Sequence, residues 1–158
     1  MKNKKILPQT NDIEKDYFSK GKRCIESSEI LFNLQQSSRK NGEIITYEYG
    51  LLLIHGVELL LKSFFLLSEK ISFGRYDIDK LFKYGHDYKK LYNDCLEIDK
   101  KGFLNDEQLK SLINDLSKKF YFGTIEARYP EYSGGTVFSF NTFFILKEKL
   151  ICPLGKII

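Results

Sequence analysis

The stretch LLLIHGVELLLKSFFLL, residues 51–67, constrains this chain more than any other. It is apolar nearly all round a helix, as expected of a central helix covered on several sides. His55, Glu58 and Lys62 interrupt it. A bilayer tolerates such groups poorly, so the segment reads as a buried helix and not a membrane span. An unpaired charge buried there costs several kcal/mol, so these three groups must pair, reach solvent or line a cavity.

Helical periodicity runs through most of the remaining chain. Over residues 12–40, Tyr17/Phe18, Cys24/Ile25 and Leu31/Phe32 recur at seven-residue intervals, with Leu34 assigned to the same side. That pattern predicts a long helix with one apolar stripe, closed by Arg39–Gly42. A second helix is predicted over 45–69. Gly50 and Gly56 lie inside it, each costing about 1 kcal/mol in helix propensity relative to Ala. Close approach of a neighbouring helix or subunit is the expected reason.

Residues 70–86 read as a poorly periodic connector. A helix over 87–99 follows, with Tyr88, Leu91, Tyr92, Cys95 and Leu96 on one face and Asp87 at its N-terminus. In the next helix Asn105 is the expected cap, with Gln108 at the capping-box position and Leu104 and Leu109 as a hydrophobic staple. A last helix is expected at roughly 138–151, stopped by Pro153. No segment alternates as a half-buried strand does. The fold class expected is all-α, an antiparallel up-and-down bundle of four to five helices. The organisation is a basic N-terminal segment (1–11), one helical domain (12–152) and a C-terminal tail (153–158).

Composition narrows the function. The 158 residues suit one globular domain able to bury roughly two-thirds of its unfolded surface without disulfide or metal. Cys24, Cys95 and Cys152, odd in number and widely spaced, read as reduced thiols of a cytoplasmic protein. The net charge is +4, yet residues 1–23 hold seven Lys/Arg against three Asp/Glu, and the remaining residues hold eighteen of each sign. A neutral body weakens any expectation of general nucleic-acid affinity. Nine of the 23 aromatic residues fall between 120 and 144, where only Arg128 supplies a cation after residue 120, so core or interface packing explains them better than base stacking. Two histidines 31 residues apart give no metal-ligand spacing, and the sequence GKII lacks the rest of a phosphate-binding loop. No cofactor is expected.

Three groups of residues are candidates for a site. His55, Glu58 and Lys62 share one helix face. They form either a structural Glu58–Lys62 pair with His55 hydrogen-bonded nearby, or the lining of a pocket. Glu126, Arg128 and Tyr129 precede Pro130, which disfavours helix at Tyr129. Arg128 offers a planar fork for a carboxylate or phosphate, either on a ligand or on an internal partner such as Glu58. His86 and Asp87 stand at a helix start.

Taken in order, HGVELLLKSFFLL (55–67), GHDYKKLY (85–92) and EARYPEY (126–132) resemble segments of the HEPN superfamily of small helical-bundle proteins, over about residues 45–150. The resemblance implies a cytoplasmic homodimer of four or five helices, found in toxin–antitoxin, antiphage or RNA-processing systems, commonly beside a nucleotidyltransferase-type protein partner. It marks Glu58, Lys62, His86, Asp87, Arg128 and Tyr129 as the recurring polar set. Active members of the family are metal-independent endoribonucleases that use an Arg followed after four to six residues by a His. Here those positions after Arg128 hold Ser133, Gly134 and Gly135. The expectation is therefore a non-catalytic module that binds a protein partner, nucleotide or RNA. Two alternatives are an endoribonuclease whose Arg128 and His86 or His55 meet through folding, and a scaffold subunit of a larger enzyme.

Overall fold

The computed structural model describes residues 12–38, 46–119 and 139–158. Among the described residues the chain is all-helical, with no strand. In order, α1 is Ile13–Ser38, α2 Thr46–Phe73, α3 Ile78–Lys83, α4 Tyr88–Ile98, α5 Glu107–Lys119, and α6 Phe140–Leu146, which runs through a π-helical turn (Lys147–Ile151) into α7, Cys152–Gly155. The segments 1–11 and Arg39–Gly42 lie outside the described residues.

The α1–α2 pair is the frame. The Ser63 hydroxyl donates to the Glu14 carbonyl (2.7 Å), Gly21 meets Gly56, and the Ser28 hydroxyl donates to the Tyr49 carbonyl (2.6 Å). Each step of seven residues forward on α1 is matched by seven backward on α2, so the two helices are antiparallel and in heptad register. Glu14, Gly21, Ser28 and Gln35 recur at that interval on α1, and all are buried. At the centre the backbones nearly touch. A Cβ on Gly21 would lie 2.9 Å from the Gly56 carbonyl oxygen, and one on Gly56 would lie 2.7 Å from Ile25 Cγ1 and 2.9 Å from the Gly21 oxygen. The expected reason for Gly56 is thus met by a neighbouring helix of the same chain.

The apolar stripe of α1 differs from its sequence reading at one end. Ile25 and Phe32 are fully or nearly buried, but Leu34 is 50% exposed. The seam follows Ser28 to Gln35, and Leu34, 100° round the helix from Gln35, turns outward. Phe32 is the hub of this region, with its ring 5.6 Å from Tyr49, 5.1 Å from Phe140 and 5.3 Å from Phe143. It joins α1, α2 and α6.

Residues Tyr49–Phe73 of α2 are long and apolar enough to cross a membrane, yet 72% of the most apolar part is buried inside the fold. Leu53, Ile54, Val57, Leu60 and Leu61 have no exposed surface. Each such side chain contributes about 1.5–3 kcal/mol of burial. Helix α2 extends past its expected end, to Phe73, and the supposed connector contains α3, capped by Asp77, whose carboxylate accepts the Lys80 amide at 2.9 Å. With six residues, α3 is too short to show a period in sequence. On α4, Tyr92 donates to the Leu104 carbonyl (2.9 Å) and burial pushes its phenol up to about 12, so it stays a donor at neutral pH. Cys95 is fully buried and its thiol faces the Leu61 carbonyl. All three cysteines are free.

Two further helix ends differ from expectation. Asp106, not Asn105, caps α5, because its carboxylate accepts the Gln108 and Leu109 amides (3.0 and 3.1 Å) and also pairs with Lys149 at 3.3 Å. Pro153 does not stop the last helix. In the π-helical turn the Cys152 amide donates to the Lys147 carbonyl, five residues back, and the helix restarts with Pro153 in its first turn. There a missing N–H costs nothing. Leu154 beyond it is fully buried, and Ile157 and Ile158 pack on the core. The same turn sends Lys147 to Glu29 on α1 and Lys149 to Asp106.

Helix propensity alone says that Gly56→Ala stabilises the protein by about 1 kcal/mol. The geometry predicts the opposite, a net loss of about 1–2 kcal/mol from overpacking against α1. Urea unfolding of Gly56→Ala beside the parent protein decides between the two signs.

Candidate functional site

The sequence places Glu58 and Lys62 one helical turn apart, and the structure joins them. Glu58 is 2% exposed, and Lys62 donates to its Oε1. Lys62 also donates to the Gly85 carbonyl at 3.1 Å. That carbonyl is presented by the α3–α4 turn, where Gly85 takes φ +55°, a left-handed conformation that costs glycine little. The next residue closes the group, with His86 Nδ1 3.1 Å from Glu58 Oε2. A carboxylate paired with a lysine only accepts, which places the imidazole proton on Nδ1. Tyr17 of α1 lies close enough for burial and the Glu58 charge together to push its phenol up.

One buried carboxylate therefore ties the α3–α4 turn to α2, directly through His86 and by way of Lys62 through Gly85. Both carboxylate oxygens are engaged within the protein. The side chain of Lys62 is 12% exposed and that of His86 56% exposed, so the cluster opens to solvent on the imidazole side.

The remaining candidates fall elsewhere. His55 is exposed, and the imidazole on Glu58 comes from His86 instead. Asp87 faces its own helix, accepting the Lys90 amide at 3.0 Å as the cap of α4. Glu126, Arg128 and Tyr129 lie outside the described residues. No group of three or more His, Cys, Asp or Glu among the described residues is arranged to hold a metal ion.

A second polar cluster escaped the sequence reading. Glu14, 2% exposed near the start of α1, accepts from Lys70 at 2.8 Å and from the Tyr76 hydroxyl. Lys70 also reaches Asp12 at 3.7 Å and lies 5.7 Å from the centre of the Tyr76 ring. Burial raises the Glu14 carboxyl, but the hydrogen bonds from Lys70 and Tyr76 outweigh it and hold the group below its ordinary value of 4.5. Nearby, Lys80 pairs with Glu69 at 3.2 Å and sits 4.9 Å from the Phe65 ring centre. These contacts fasten the far end of α2 to α1 and α3. One sequence signal pointed to the first cluster: Glu14 and Lys70 extend the same heptad lines that carry Gly21 and Ser63.

No family model, curated protein or solved structure matches the chain.

Removing Glu58 leaves Lys62 and His86 facing a hole where their acceptor was. Glu58→Ala is expected to cost about 3 kcal/mol, whereas His86→Ala, at an exposed ring, costs under about 1 kcal/mol. Chemical denaturation checks both, and an unchanged midpoint for Glu58→Ala contradicts the assignment.

Glu14 gives a pH signature. Its carboxyl is depressed on folding, so its contribution is complete above the ordinary value of 4.5 and is lost as pH falls through the lower folded value. Glu14→Gln is expected to be less stable than the parent at pH 7, with the gap narrowing as the pH drops below that range. A gap constant from pH 7 to pH 3 refutes the pairing.

Proposed function

We propose that the protein is a non-catalytic HEPN-like module, an antiparallel up-and-down bundle of four to five helices. It acts as a cytoplasmic homodimer that binds a protein partner, a nucleotide or RNA in a bacterial defence or toxin–antitoxin system. A nucleotidyltransferase-type protein is the partner class that the resemblance implies. The observation that carries the non-catalytic reading is the engagement of both Glu58 oxygens, one by Lys62 and one by His86, with Lys62 closing on the Gly85 carbonyl. A carboxylate held in this way and 2% exposed positions backbone and is buried away from any substrate proton. The absence of a histidine four to six residues after Arg128 supports the same reading.

One feature favours a second reading, a metal-independent endoribonuclease with a rearranged Arg/His site. A buried carboxylate that fixes the tautomer of a half-exposed imidazole is the arrangement by which general bases are oriented. Glu58 stands in that relation to His86.

Purified protein incubated with structured and single-stranded RNA in chelator distinguishes the two, beside His86→Ala and Arg128→Ala. The non-catalytic reading expects intact RNA in every case. Cleavage by the parent that is lost in both variants overturns it in favour of the nuclease. Light scattering after gel filtration tests the assembly, with twice the chain mass expected, and a monomer at micromolar concentration refutes the dimer.

A further inference from the structure

We draw no further inference here: the strongest candidate, the exposed surface patch on α6 that carries Phe140 and Phe144 one helical turn apart, carries nothing because nothing in the structure shows what covers it.

Discussion

The α1 and α2 backbones approach so closely at Gly21 and Gly56 that a Cβ on either would lie 2.9 Å from the other's carbonyl oxygen. The rest of the architecture depends on the contact. It sets the spacing of α1 and α2, and the heptad line through it sets their register. That register in turn carries Ser63 to Glu14 at one end and Ser28 to Tyr49 at the other. With α1 and α2 fixed, Phe32 is held where rings from α2 and α6 converge. A one-residue slip would rotate every α1 side chain by 100° and separate all of these groups together.

Two carboxylates that are 2% exposed, Glu58 and Glu14, tie this frame together. Glu58 closes the middle of α2 onto the turn before α4, and Glu14 closes its C-terminal end onto α1 and Tyr76. Glu58 and Glu14 each have a lysine, and each has a second donor from another part of the chain. Such groups add less net stability than hydrophobic residues of equal size, because their desolvation offsets much of the attraction. Their effect is on placement: Lys62 reaches Glu58 from the same helix, whereas His86 reaches it only with the α3–α4 turn seated against α2. This view of Glu58 as a positioning group is what underlies the proposal of a non-catalytic module.

The sequence was readable over most stretches with a repeating pattern, Leu34 on α1 excepted. Helices α1, α4 and α5 follow their periodicity, and the burial of α2 follows from its apolar composition. The Glu58–Lys62 pair follows from their separation by one turn. Other features leave no periodic trace. Helix α3 is six residues long, with Leu81 as its only buried position. Asn105 and Asp106 are adjacent and of similar capping propensity, and they are distinguished by where the helix starts: Asp106 accepts the Gln108 and Leu109 amides and also meets Lys149. Pro153 signals an end that the π-helical turn circumvents. Glu14 and Lys70 do lie on the heptad lines of α1 and α2, but Tyr76, 62 residues from Glu14, joins them only in the folded chain. Gly21 stands between the seven-residue repeats of α1, and that Gly56 lies opposite is known only from the folded chain. The site divides in the same way: Glu58 and Lys62 are local, whereas His86 displaces His55 because it arrives on a separate element.

The claim on which everything else rests is that Gly21 faces Gly56. Proton NMR reads it directly. Nuclear Overhauser contacts from the Gly21 α-protons to the Leu60 methyl groups, and from the Gly56 α-protons to the Ile25 side chain, are expected to be among the strongest between α1 and α2. Well-resolved α-proton signals from both glycines without those cross-peaks would contradict the register and, with it, the fold described.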